Sequence, residues 1–187
     1  MAEPALSKLI QEDSDVEVIW CAFELRPDPV PTLDPKGEYL QRVWRDSVYP
    51  LSEKLGFHMK LPLVQPRSRR AHEAAHWARA QGYFNDYNTT VFRAFFERGE
   101  DIGKEDVLVR LASELGLDGE ALRVSLERRD YEKSVLAEEQ DAERHAIRAV
   151  PAFVAGGRAM LSGVQSLDQL NDLVAWQRKE TAKGGVR

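Results

Sequence analysis

The chain has 187 residues, a length that suits one domain or one domain carrying a large insertion. Hydrophobic residues make up 43% and charged residues 30% of it, which is enough apolar mass for a packed core and excludes a mainly disordered protein. Its 26 basic and 31 acidic side chains give a net charge of −5, which argues against a protein that binds the phosphate backbone of nucleic acids.

The sequence contains a single cysteine, Cys21, which excludes an internal disulfide, a CxxC pair and a cysteine-rich zinc site within these residues. No segment approaches the roughly 18 consecutive apolar residues of a membrane-spanning helix. The first residues also lack the basic and apolar regions of a signal peptide. We therefore expect a cytoplasmic protein without a membrane partner, because a single cysteine suits a reducing compartment.

The N-terminal part of the chain predicts a helix, a strand and a second, longer helix. Residues 5–12 space their apolar side chains as a helix does, and residues 16–25 (VEVIWCAFEL) alternate in the manner of a strand. A proline-rich loop follows, and residues 37–55 again repeat apolar side chains at helical spacing. Pro50 lies inside this last segment, so a break or kink is expected there.

The rest of the chain predicts a helical block, a hairpin and a closing helix. Helices are expected over residues 69–81, 86–98, 104–115, 119–128 and 130–147. Strands are expected over 149–155 and 158–161 around a Gly156-Gly157 turn, then a helix over 166–177 and a frayed end over 179–187. Few strands flank a long helical insertion, which indicates the α/β fold class.

Five segments occur in the order and spacing of a known family. They are FELRPD (residues 23–28), AHEAAHWARAQG (71–82), VFRAFFERGEDIG (91–103), LASELGLD (111–118) and VPAFVAGGRAMLSGVQSLDQL (150–170). On these segments the chain resembles the DsbA-like thioredoxin-fold family, in particular its FrnE-type branch. The resemblance implies an α/β, thioredoxin-like fold with an all-helical insertion and without the first strand. It implies an N-terminal part of the thioredoxin-like domain at residues 1–33, the insertion at 34–147 and a C-terminal part at 148–187.

Val150 and Pro151 match the family's cis-proline dipeptide, which precedes the thioredoxin hairpin. The resemblance implies that the Val150–Pro151 bond is cis and that Val150 offers its backbone to an extended substrate peptide. Without the resemblance, Pro151 would be read as a proline that merely begins a strand.

The family's chemistry is thiol–disulfide exchange on polypeptides, in which a thiolate attacks a disulfide. Its CxxC pair would lie upstream of Met1, so no catalytic residue is assigned within the chain and no cofactor is expected. We expect the chain as written to be redox-inactive. A gene start assigned too far downstream, a truncated chain or a natural variant that uses the fold for binding would each explain this. The resemblance implies that a central strand is absent, which would leave strand edges open and favour a homodimer.

Three alternative functions are weighed against this one. The first is a non-catalytic module that binds a peptide or protein partner beside Val150 and Pro151. The second is a glutathione-dependent isomerase or transferase of the kappa-like branch, which shares the architecture. The third and least favoured is a zinc hydrolase, because residues 72–76 read HExxH and place His72 and His76 on one helical face with Glu73 as a general base. Further metal ligands are not evident, so no metal site is assigned and the two histidines are expected to be structural.

Three other features have ordinary structural explanations. Cys21 is expected to be a buried small hydrophobic residue. The basic cluster of Arg67, Arg69 and Arg70 offers an anion site but more simply forms a solvated helix start. The aromatic side chains of the helical block are expected to form its core rather than a groove. They are Trp77, Phe92, Phe95 and Phe96.

Overall fold

The computed structural model describes residues 1–184. These residues form two compact units: Met1–Cys21 joined with the chain from Asp141 onward, and Ala22–Gln140. The helices are α1 (Glu3–Glu12), α2 (Glu38–Val43), α3 (Tyr49–Lys54), α4 (Arg69–Ala80), α5 (Phe84–Phe96), α6 (Glu105–Glu114), α7 (Gly119–Arg128), α8 (Glu132–Arg144) and α9 (Leu167–Gly184). The strands are β1 (Ala152–Ala155) and β2 (Ala159–Ser162). None of the described helices is long and apolar enough to cross a membrane.

The unit from Ala22 to Gln140 is helical and is built around α4. This helix packs against α5, α6 and α7, and its alanines allow the neighbouring helices to approach closely. The core combines these alanines with large side chains: Trp77, Tyr87, Val91, Leu108, Leu111, Leu122 and Leu126. The predicted helices over residues 69–81 and 119–128 are confirmed, since their apolar stripes are the faces that this core buries.

Pro50 does not break the helical segment that contains it. A π-helical turn over Trp44–Val48 joins α2 to α3, and the N–H of Tyr49 donates to the carbonyl of Trp44, five residues earlier. A proline cannot donate a hydrogen bond, and its ring clashes with the carbonyl four residues before it. The wider turn accommodates Pro50, so the chain continues as helix to Lys54.

The other unit packs α1 against α9 and the β-hairpin against α9. Its buried core is small and consists of Leu6, Leu9 and Leu170. Strands β1 and β2 are antiparallel, with Val154 opposite Met160. Gly156 and Gly157 both have positive φ angles, 57° and 67°, the geometry that the predicted two-glycine turn requires. Helix α9 extends further than predicted, so residues 179–184 are helical rather than frayed, and residues 185–187 of the predicted frayed end lie outside the described residues.

The strand predicted over residues 16–25 is wrong, because this segment is not part of the sheet. The side chains do alternate as a strand's do, with Val16, Val18 and Trp20 packed toward the small core while Glu17 and Ile19 are exposed. No described residue pairs with this segment as a strand, however, and the sheet contains only β1 and β2. Alternation reports which side of an extended segment is covered, whereas a strand also needs a hydrogen-bonded neighbour.

Candidate functional site

Val150 and Pro151 lie at the entry to the hairpin, immediately before β1. The bond between them is cis, as predicted. The carbonyl of Pro151 accepts a hydrogen bond from the N–H of Gly163 at 2.8 Å, which ties the entry of the hairpin to its exit. Val150 is 46% exposed. This dipeptide is therefore held in place by the hairpin while its first residue faces solvent.

The backbone around Val150 is open to a further chain. Among the described residues, no backbone hydrogen bond joins Val150 to another segment, and β1 has a strand neighbour on one edge only. Exposed apolar side chains lie further along the hairpin, where Val154 and Met160 face each other across the two strands. Free backbone groups next to apolar side chains are what an added extended peptide needs for hydrogen bonds and contact.

The HExxH motif lies on α4, in the helical unit, and its three polar residues have separate partners. Glu73 is buried and accepts a hydrogen bond from Arg70 at 3.2 Å. His72 hydrogen-bonds through its ring to the backbone of Phe23, and its Nε2 atom is buried without a partner. His76 contacts the carboxylate of Glu138 at 3.2 Å. Packing and ion pairing thus account for each of the three polar side chains, and the described residues contain no group of three side chains arranged to hold a metal ion.

Burial shifts the ionisation of this motif in two directions. Desolvation lowers the pKa of His72 from 6.5 to about 4, against the opposing effect of the hydrogen bond to Phe23. His72 is therefore neutral at pH 7. Burial also raises the pKa of Glu73, an effect that the neighbouring Arg70 guanidinium partly offsets.

Glu138 on α8 is the centre of a partly buried polar network that sequence reasoning does not detect. Its Oε2 atom accepts a hydrogen bond from the backbone N–H of Ala22 and contacts His76. Its Oε1 atom lies 3.5 Å from Arg79. These hydrogen bonds lower the pKa of Glu138 although burial raises it. No sequence signal identifies this group, because its members come from three distant segments.

Cys21 is exposed, which corrects the expectation that it is a buried hydrophobic residue. It follows Trp20 on the extended segment, and alternation places it on the face opposite Trp20. That face is exposed at Ile19 as well, with 68% of the residue accessible. The alternation was therefore read correctly, but it gave no information on whether the outer face is covered.

The match to a family model identifies the family of this chain. The model of the DSBA-like thioredoxin domain matches residues 1–175 of the chain. This chain belongs to the DSBA-like thioredoxin family. It is 37% identical over 178 residues to the uncharacterized protein YwbO of Bacillus subtilis (strain 168), and the match covers 89% of this chain and 84% of that protein.

Two solved structures share the fold of this DSBA-like chain. A probable DsbA oxidoreductase from Streptomyces coelicolor has a TM-score of 0.73 at 20% identity, and the match covers 100% of this chain and 84% of that one. A 2-hydroxychromene-2-carboxylate isomerase has a TM-score of 0.76 at 19% identity, with 97% and 91% covered. At these identities the two likenesses show the fold alone. The predicted thioredoxin-like fold class is thereby confirmed.

The role of Val150 and Pro151 in substrate binding stays a prediction, as do the domain bounds at residues 33 and 147. Trp77 is a core residue as expected. Phe95 packs against the same core, whereas Phe92 is 37% exposed.

Proposed function

We propose that this DSBA-like chain binds an extended polypeptide beside Val150 and Pro151, as a member of the FrnE-type branch. The observation that carries the proposal is the exposed Val150, whose backbone has no backbone partner among the described residues, fixed at the start of a hairpin strand. An added peptide gains main-chain hydrogen bonds there, and Val154 and Met160 offer apolar contact.

The chemistry expected of such a chain is binding without a full redox cycle. A dithiol cycle oxidises two thiols to a disulfide while the substrate disulfide is reduced to two thiols. The 187 residues supply one thiol, at Cys21, so a complete cycle needs a second thiol from elsewhere. We place this binding function in the cytoplasm, where reduced polypeptide thiols are the abundant form.

Two substitutions at position 150 test the binding site. Val150→Pro removes the backbone N–H while keeping an extended backbone, and Val150→Ala keeps the N–H and removes only apolar contact. Binding of a fluorescent, reduced and alkylated model polypeptide is measured by anisotropy. One lost main-chain hydrogen bond corresponds to about a five- to tenfold weaker affinity for Val150→Pro, with a smaller effect for Val150→Ala.

Independent evidence comes from amide NMR and from activity measurements. On peptide addition, the amide signals of residues 152–155 and Gly163 should shift in the wild type. Equal affinity of the wild type and Val150→Pro, together with unshifted signals in this region, would overturn the proposal.

Turnover of an insulin disulfide by the chain alone would show redox function instead, and turnover of a glutathione conjugate would favour the isomerase branch. Light scattering of the same sample distinguishes a peptide site from one that a second copy of the chain occupies.

A further inference from the structure

A basic pocket lies in the helical unit, between the N-terminal end of α4 and the loop before α6. Its volume is about 290 Å³. Four cationic side chains line it, and Asp101 and Gly103 form part of the wall. The cationic residues are Arg67, Arg69, Arg70 and Lys104. Nothing in the proposed peptide-binding function uses these residues.

Backbone carbonyl groups outside the pocket lining hold two of the arginines in place. Arg67 donates through Nη1 to the carbonyl oxygens of Arg26 and Val30, at 2.9 and 3.1 Å. Arg70 donates through Nη1 to the carbonyl of Leu126 at 2.6 Å. Because each guanidinium carries five N–H donors in a rigid fork, these contacts orient it and leave other donors for a ligand.

The carboxylates that pair with the arginines are not part of the pocket lining. Asp28 contacts Arg67 at 3.1 Å, and Glu105 contacts Arg70 at 3.3 Å. Arg69 contacts Glu139 at 3.1 Å. Arg69 also contacts Glu24 at 3.4 Å, and Arg70 contacts Glu73 at 3.2 Å. These partners neutralise part of the charge, and the guanidinium N–H donors that they do not use are the ones available to an anion.

The one carboxylate in the wall is already engaged by its own loop. Asp101 accepts a hydrogen bond from the N–H of Gly103 at 3.0 Å through Oδ1. Its Oδ2 atom lies 4.0 Å from Lys104 Nζ. Asp101 therefore shapes the loop, and Lys104, with 71% of its side chain exposed, can reach a ligand.

The N-terminal end of α4 adds to the positive potential of this pocket. This 12-residue helix has no acidic residue in its first turn and no side-chain cap at Ser68. Its first N–H groups and the positive end of the helix dipole therefore lack the negative partner that most helix starts provide.

We propose that this pocket binds a tetrahedral dianion, either inorganic phosphate or the phosphate group of a small monoester. Three arginine forks and a lysine match the several acceptor oxygens and the double charge of phosphate better than those of one carboxylate. The volume admits a phosphate group with a small organic substituent.

The test is calorimetric titration of the whole chain with phosphate, with glycerol phosphate and with malonate, all at constant ionic strength. The key variant is Lys104→Gln, because Lys104 is exposed and its contact with Asp101 is long. Lys133→Gln on α8 is the matched control, since it makes the same charge change at an exposed lysine outside the pocket.

We expect saturable binding of phosphate or its monoester, about fivefold weaker in Lys104→Gln and unchanged in Lys133→Gln. Tighter binding of glycerol phosphate would identify a monoester as the ligand, and equal binding would identify free phosphate. Three outcomes would overturn the proposal: no binding of either phosphate compound, malonate binding as tightly as phosphate, or an equal loss in the two lysine variants.

Discussion

Glu138 accepts a hydrogen bond from the backbone N–H of Ala22, a residue 116 positions earlier in the chain. Ala22 lies on an extended segment that has no described strand neighbour, so a side chain performs the role that a neighbouring backbone has in a sheet. The same carboxylate contacts His76 and Arg79 on α4. Glu138 therefore links three segments of the helical unit.

Replacing Glu138 with alanine should destabilise the fold. The change leaves the Ala22 N–H without its acceptor and removes one negative partner of His76 and of Arg79, for an expected loss of about 2 kcal/mol in the free energy of unfolding. Glu138→Gln keeps one acceptor oxygen and should lose less. Urea unfolding measures both variants.

The control for this prediction is Glu143→Ala on the same helix, because Glu143 is exposed. Its effect should stay within about 0.5 kcal/mol. If the Glu138 and Glu143 variants were equally stable, the network would contribute nothing to the fold.

The separation of interacting residues along the chain decides which features the sequence can predict. Helices α4 and α7 were predicted closely because an apolar stripe and its end signals lie within a dozen residues. The contacts of Glu138 with Ala22 and His76 join segments far apart in the chain, and no local pattern contains them. The same limit explains the strand predicted over residues 16–25, where alternation was present but pairing was not.

The candidate site was only partly accessible to sequence reasoning. Val150 and Pro151 were found through the family resemblance, since a proline before an apolar run has an ordinary explanation as the first residue of a strand. The exposure of Val150 and the bond from Gly163 to Pro151 depend on how the hairpin closes. The basic cluster at Arg67, Arg69 and Arg70 was visible in the sequence, but Lys104 joins it only in the folded chain.

His72 should make the stability of the protein depend on pH. Its pKa is about 4 in the folded chain and near 6.5 when unfolded, so the unfolded state binds the proton first. Above about pH 6.5 His72 is neutral in both states and does not reduce the free energy of unfolding. As the pH drops to about 4, protonation of His72 in the unfolded state should lower the free energy of unfolding by about 3 kcal/mol.

The variant His72→Asn isolates this effect, because asparagine keeps a hydrogen-bond donor and does not titrate in this range. Urea unfolding of both proteins at several pH values gives the difference, in which the contributions of Glu73 and Glu138 largely cancel. The wild type should lose more stability than the variant between pH 6.5 and 4. Parallel curves would mean that His72 is not buried in the neutral form.

Cys21 should react in the native protein. Because the residue is exposed, a small aromatic disulfide reagent should label one thiol per chain without denaturant. The release of the coloured thiolate measures the extent and rate, and Cys21→Ser provides the blank. A thiol that reacts only after denaturation would restore the sequence-based expectation of a buried cysteine.

The small core between α1 and α9 should depend strongly on Leu9. This side chain is 3% exposed and packs with Leu6 and Leu170, whereas its neighbour Ile10 is 45% exposed on the same helix. Leu9→Ala removes buried methyl groups and leaves a cavity, for a loss of about 3 kcal/mol. Ile10→Ala removes a similar number of carbon atoms from a surface position and should cost less than about 1 kcal/mol. Urea unfolding monitored by circular dichroism compares the pair, and a larger loss for Ile10→Ala would show that α1 presents the opposite face to α9.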